Sequence, residues 1–446
     1  MERQHIILKD NSQMKLKDEF TENSVIRYLQ NKTMGELTKS GMLIFPNNEE
    51  QHIDDDRKVI ETTQEKLKSS NLLGFFGNSG DALSIVSRFD DSRNNYFLQY
   101  MLSKVYGITP LNFSTGMKSN TGFLDFMVLL FPSILNKALA KGIYKEYQVK
   151  RHNNSALKGK IEVARHIKTN VPFTGNISYT NREYSYDNPV IQLIHHTIQF
   201  IKHHRRYHRI LTASHSTYEN IRMIESVATS INGSMEKLIE LNRRNVVKHV
   251  YYKEYEQLQK LCIAILESQN ILFTSDSKEK FYGLVLDGAW LFEEYVNTIL
   301  GDLFYHPSNT DGTGANYLFS GGAGKIYPDF ISRDEGRIIA DAKYKPSHNI
   351  SGPDYHQILS YMYRFDSIEG YYIYPHSIME NAREPKRSME LLEGVNFGAK
   401  KGSGKRKQSV TVTKLGIRVP MEVESYEEFK NMMAESEQKL RGDINI

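Results

Sequence analysis

The sequence predicts a multidomain α+β protein with a short-strand N-terminal domain, a helix-rich basic middle domain, and a C-terminal α/β domain whose mixed sheet is flanked by helices. Three observations predict it. At 446 residues the chain exceeds the roughly 250 to 300 residues at which a single core stops growing. Its apolar spacing changes from alternating to helical near Asn95. Its charge is uneven, because residues 141–260 carry 20 Lys and Arg against 10 Asp and Glu, whereas residues 1–140 carry 16 against 17. The borders expected from these changes are 1–92, 93–275 and 276–446, the second marked by the polar turn Ser275-Asp276-Ser277-Lys278.

The first 90 residues hold short apolar runs ended by turn signals, such as Met42-Leu43-Ile44-Phe45 before Pro46-Asn47 and Leu72-Leu73-Gly74-Phe75-Phe76 before Gly77-Asn78. Such runs read as short strands. Phe97, Met101, Leu102 and Val105, then Phe123, Phe126, Met127 and Leu130, recur at helical spacing. After an extended Arg182–Asp187 stretch, Asp187 is placed to cap a helix with Pro189 in its first turn, running through Ile191, Ile194, Ile198 and Ile201 to about Arg209. Further helices are expected over 216–231 and 252–270. The excess positive charge of 141–260 fits a polyanion or an acidic partner surface, and the Gly398–Lys407 segment reads as a basic loop.

Composition narrows the function classes. Hydrophobic residues make up 39% with 29 glycines, the usual range for soluble globular proteins. The longest apolar run, Phe126–Phe131, is far too short for a membrane helix. Ile6-Ile7-Leu8 before Lys9 is too short for a secretory signal, so a cytoplasmic protein is expected. The single cysteine, Cys262, excludes an internal disulfide, and its neighbours Leu261 and Ile263 suit a buried thiol. Neither Gly324-Lys325 nor Gly404-Lys405 is a phosphate loop, since Phe319 and Ala399 stand where the first glycine belongs, and Ile326 and Arg406 where Ser or Thr belongs. His204 and His208 have the spacing of a metal pair without a third ligand nearby, so they read as basic surface.

The stretch from Tyr327 to Lys345 carries the chemistry. Two strand-like runs flank Asp334-Glu335-Gly336, a three-residue hairpin loop. Setting Arg333 opposite Arg337 makes paired residue numbers sum to 670, which puts Asp329 opposite Asp341. Opposed side chains have Cβ atoms about 4.5 to 5.5 Å apart, so the two carboxylates can share one hard divalent cation, Mg²⁺ or Mn²⁺ in its place. Lys343 projects from the same face as Asp341, where it can orient an attacking water. Upstream, Phe292, Val296, Ile299 and Leu303 form an apolar helical stripe that leaves Glu293 or Glu294 free to reach the metal. Downstream, Gln357 and Tyr361 share one helical face, suited to holding the lysine or a phosphate.

These parts resemble the PD-(D/E)xK nuclease core, with Glu293, Asp329 after Pro328, Asp341-Ala342-Lys343, and a Gln357-x-x-x-Tyr361 helix as in its RecB-like branch. Gly142–Tyr147, Leu157–Val163, His166–Lys168 and Arg182–Pro189 further resemble the McrC family, nuclease subunits of 5-methylcytosine-specific restriction systems, over roughly Asn95 to Tyr374. Lys158 stands where many relatives have arginine, a point charge in place of a fork.

The resemblance implies a Mg²⁺-dependent endonuclease that cuts duplex DNA when docked on a hexameric AAA+ GTPase of the McrB kind, whose hydrolysis it stimulates. Residues 1–92 would make that docking contact. Two rivals are a stand-alone RecB-like repair nuclease or junction resolvase, and a non-catalytic adaptor that activates an AAA+ partner.

Overall fold

The computed structural model describes residues 4–40, 42–45, 55–78, 80–90, 95–107, 121–212, 214–228, 234–273, 281–307, 314–334, 338–377, 385–394 and 405–444. The chain is a mixed α/β protein of two compact units, one made of residues 1–123 with 275–446 and the other of residues 124–274.

The first unit holds two larger sheets. In the five-stranded one the order is Gln4–Lys9, Asp81–Val86, Leu72–Gly77, Tyr282–Asp287, Leu43–Phe45. The expected strands at Leu43–Phe45 and Leu72–Gly77 are present. The expected border between 1–92 and 276–446 is not a break in the backbone pairing, because Tyr282–Asp287 lies antiparallel to Leu72–Gly77 and parallel to Leu43–Phe45. Three short helices not foreseen from the sequence, Asp18–Glu22, Ser24–Leu29 and Met34–Lys39, also lie in the N-terminal region. Asn23 caps the second and a Thr33/Glu36 capping box starts the third. Their apolar sides join Leu8, Leu67, Leu83 and Val285 in one core.

The six-stranded sheet has the order Phe304–Tyr305, Phe330–Ser332, Ile338–Ala342, Glu369–Ser377, Lys405–Val419, Lys386–Glu393. Its three central strands, from Ile338–Ala342 to Lys405–Val419, run parallel, and the outer pairings are antiparallel. The helix Gly352–Arg364 makes the crossover between the first two parallel strands, the connection such a pair requires. The C-terminal helix Tyr426–Asp443 is tied in by Glu437, whose carboxylate accepts from Tyr100 Oη and Tyr295 Oη, each at 2.8 Å, and from Lys104 Nζ at 2.9 Å. Lys405, Arg406 and Lys407 begin a strand and are not part of a loop. There Lys405 and Arg406 pair with Glu393 and Glu390 of the neighbouring strand. The rest of the expected basic loop, 398–404, lies outside the described residues.

The second unit combines helices Pro189–His203, His215–Val227, Met235–Arg244 and Glu254–Phe273 with a three-stranded sheet in which Ile177–Ser185 lies between Glu146–Asn154 and Lys160–Ile161. Ile191, Ile194, Ile198 and Ile201 are buried as the stripe requires. The cap is Asn188, whose Oδ1 accepts from Val190 N and Ile191 N at 3.1 Å. Asp187, expected in that role, instead accepts from Gln192 Nε2 at 2.9 Å. The helix ends at His203, six residues short of Arg209, and a separate 3₁₀ turn spans His208–Thr212. Gly159 is required where it stands, since a Cβ there would meet Thr180 O at 2.1 Å. Cys262 is buried, and burial pushes its thiol up to about 12. No helix among the described residues is long and apolar enough to cross a membrane.

Candidate active site

Glu335 and Gly336 of the expected loop, and Arg337 after it, lie outside the described residues, and the pairing of the flanking strands has the register expected from the sequence. Phe330 pairs with Ala340 and Ile331 with Ile339, so Asp329 falls opposite Asp341. Asp329 Oδ2 accepts the Ala342 N–H at 2.9 Å, which ties the carboxylate across the strands. Asp341 is 1% exposed. Lys343 Nζ lies 2.6 Å from Asp341 Oδ2. Beyond that ion pair, neither oxygen of Asp341 accepts a hydrogen bond among the described residues.

Lys343 is held from the helix side as well. Its Nζ donates to Gln357 Oε1 at 3.0 Å, Gln357 Nε2 donates to Tyr361 Oη at 2.8 Å, and Tyr361 Oη donates to Tyr327 O at 3.2 Å. The lysine ammonium only donates, so Gln357 turns Oε1 to it and Nε2 to the tyrosine, which fixes the orientation of the amide. A Ser351/Asp354 capping box starts the helix that carries them. Asp354, which the sequence reading did not single out, lies 3.8 Å from Lys343 Nζ and accepts twice from Lys345 Nζ at 2.8 Å. The Ser-x-x-Asp spacing signals the cap, but nothing in the sequence signals its reach to Lys343.

Glu293 comes from the helix Gly288–Leu300, capped by Asp287, whose Oδ1 accepts from Ala289 N at 2.8 Å. Burial raises its carboxyl well above the ordinary range, followed by the charges of Asp329, Glu294 and Asp341. Glu293 therefore feels the charge of the pair. Glu294 Oε1 lies 3.6 Å from His306 Nε2, with Glu293 Oε1 at 3.8 Å. His306, also missed from the sequence, donates through Nδ1 to Asp329 O at 2.8 Å and stacks on Phe330. The structure thus brings Asp329, Asp341, Lys343, Gln357 and Tyr361 together, and Glu293 approaches them by way of His306, 3.8 Å away.

The electrostatics are those of carboxylates crowded out of water. Burial, then the charge of Asp341, pushes Asp329 up to about 8. Burial also raises Asp341, against the pull of Lys343. Burial pushes the Lys343 ammonium down, and Asp341 followed by Asp329 and Asp354 more than reverses this, leaving it above the ordinary lysine value. Two buried like charges are costly unless a cation accompanies them.

Among the described residues no three His, Cys, Asp or Glu side chains stand close enough together to enclose a metal ion. The donor set nevertheless fits a hard cation of the Mg²⁺ type, which needs only one or two carboxylates and takes its other ligands from water and phosphate. The buried oxygens of Asp341, met only by the Lys343 ammonium, are suited to that ion.

The McrBC 5-methylcytosine restriction system component family model matches residues 67–375. Among solved structures, the chain is similar to one in the refined half-complex from the tetradecameric assembly of Thermococcus gammatolerans McrB AAA+ hexamers with bound McrC, at 16% identity over 99% of this chain and 100% of that chain, with a TM-score of 0.49. It is also similar to a chain of the cryo-EM structure of the Thermococcus gammatolerans McrBC complex, at 16% identity over 67% of this chain and 87% of that chain, with a TM-score of 0.33. No curated protein matches.

Proposed function

The chain belongs to the McrBC 5-methylcytosine restriction system component family, and on that premise we propose that it is the Mg²⁺-dependent endonuclease subunit of such a system, built on a PD-(D/E)xK core. The observation that carries this reading is the half-buried Asp329 opposed to the buried Asp341, with the Lys343 ammonium 2.6 Å from Asp341.

In this reading Asp329 and Asp341 hold the cation, with Glu293 beside them. When bound, the ion supplies Lewis-acid polarisation of a phosphodiester oxygen and a water acidic enough to attack phosphorus. The chain's own residues do the rest. Lys343, aimed by Gln357 and Tyr361, orients the water and meets the charge that develops on the phosphoryl oxygens. Asp354 holds Lys343 and Lys345 in place. His306 braces the Asp329 backbone.

The partner in this reading is an AAA+ hexamer of the McrB kind, with duplex DNA as substrate. Plasmid cutting tests it, using methylated and unmethylated DNA with and without Mg²⁺, GTP and the AAA+ protein encoded beside this chain. Cutting that needs Mg²⁺, nucleotide and the partner together is expected. Cutting by the chain alone would favour a stand-alone nuclease. Stimulated nucleotide hydrolysis with intact plasmid would favour an adaptor.

A further inference from the structure

The second unit carries a concentration of charge that the carboxylate site does not use. Residues 202–209 read Lys-His-His-Arg-Arg-Tyr-His-Arg, without an acid. The C-terminal turn of the helix Pro189–His203 attracts cations and Lys202 pairs with Glu225 at 2.8 Å, which accounts for Lys202 and His203 but not for the residues beyond. The backbone of the turn is pinned from inside, because Tyr207, Ile210 and Leu211 are buried and the Tyr207 ring stacks on His204 with centroids 4.1 Å apart. Arg205, Arg206, His208 and Arg209 are exposed around it. His208 Nδ1 lies 3.0 Å from Arg205 O. A carbonyl only accepts, so Nδ1 donates to it and ties the ring to the turn.

The other arginines of this unit are compensated. Arg151, Arg165, Arg222, Arg243 and Arg244 each pair with a glutamate, and Arg182 lies over the Tyr147 ring. Arg205 and Arg209 have neither a carboxylate nor a ring among the described residues. A solvated face needs no such segregation, whereas the exposed guanidinium groups of Arg205 and Arg209 on a pinned turn fit phosphate oxygens.

We infer that the Lys202–Arg209 turn contacts the phosphate backbone of duplex DNA, giving this chain a sequence-independent hold on its substrate; this rests on the reading of the chain as a DNA endonuclease. Each phosphate contact releases counterions and adds about 0.9 to the slope of log K against log salt. The test is fluorescence anisotropy of the full chain with a labelled duplex of about 30 base pairs, in EDTA so that nothing is cut, across about 50 to 200 mM salt. Arg205→Ala/Arg209→Ala is compared with Arg151→Ala/Arg244→Ala, which removes the same formal charge from acid-paired exposed positions.

The expected result is a slope lower by about 2 for the first pair, so that the affinity lost over that salt range shrinks roughly tenfold, with little change for the second. An unchanged slope for Arg205→Ala/Arg209→Ala, or equal slopes for both double variants, would overturn the inference. An unchanged slope together with weaker stimulation of the AAA+ partner's nucleotide hydrolysis would overturn it in favour of an acidic protein surface. Because the assay does not require cutting, a chain that binds through this turn yet never cuts would refute the nuclease reading and leave the contact standing.

Discussion

Asp329 shows most directly what the crowded pair costs. Its carboxyl is raised toward 8 by burial and by Asp341, so in the folded protein the protonated form is favoured. A group raised in the folded state gives its full stability below its unfolded value near 4, and that stability is lost as pH rises toward the folded value. Asp329→Asn keeps an oxygen to accept the Ala342 N–H and removes the charge. The metal-free variant should therefore melt about 2 to 4 °C higher than the parent at pH 8, the shift that roughly 1 kcal/mol makes in a larger domain, and the difference should vanish near pH 4. Thermal melts in EDTA across that range check it, and a parent melting higher at pH 8 would argue against the crowded pair. For Lys343→Ala, Mg²⁺ affinity by calorimetry should persist while cutting falls at least about 100-fold, since the lysine acts on water and phosphate without ligating the ion. Lost Mg²⁺ binding would contradict that role. The pair itself was legible because a three-residue loop fixes register arithmetically. His306 and Asp354 were not, because their contacts depend on where a strand end and a helix start arrive in space.

At the scale of elements, local pattern could be read and long-range pairing could not. The buried isoleucines of Pro189–His203 follow from period alone, and the cap slipped by one residue because Asp187 and Asn188 are both good caps and only Asn188 aims its oxygen at the free N–H groups. Tyr282–Asp287 joining Leu72–Gly77 is a pairing across some two hundred residues, which no window of sequence contains. It has a consequence for truncation. Deleting the first 90 residues strips Tyr282–Asp287 of both its partner strands, and Asp287, which caps the helix of Glu293, also loses Arg57 at 3.0 Å. Such a chain should expose a bare strand edge and aggregate or lose its cooperative melt, so residues 1–92 cannot be tested as a docking domain by removal. A soluble truncated chain with a sharp melt would contradict this. Glu437 makes a sharper prediction, because Glu437→Leu leaves the buried Tyr295 hydroxyl without its acceptor. A loss of about 2 to 4 kcal/mol in urea unfolding is expected, and a loss below about 0.5 kcal/mol would show that other groups satisfy it.

For the whole molecule, the charge asymmetry visible in the sequence corresponds to a compact unit, 124–274, that holds most of the basic stretch. The carboxylate site lies wholly in the other unit. That division places the proposed cutting residues and the proposed phosphate contact in different compact units. The central claim is that Asp329, Asp341 and Lys343 cut DNA in a chain whose partner supplies nucleotide hydrolysis. Its most direct measurement is plasmid cleavage and GTP hydrolysis followed in the same reaction, with Mg²⁺ and the AAA+ partner, for the parent and for Asp341→Asn. The account predicts that Asp341→Asn leaves the plasmid intact while the partner hydrolyses GTP at the parent's stimulated rate, and cutting by Asp341→Asn at the parent's rate would contradict it.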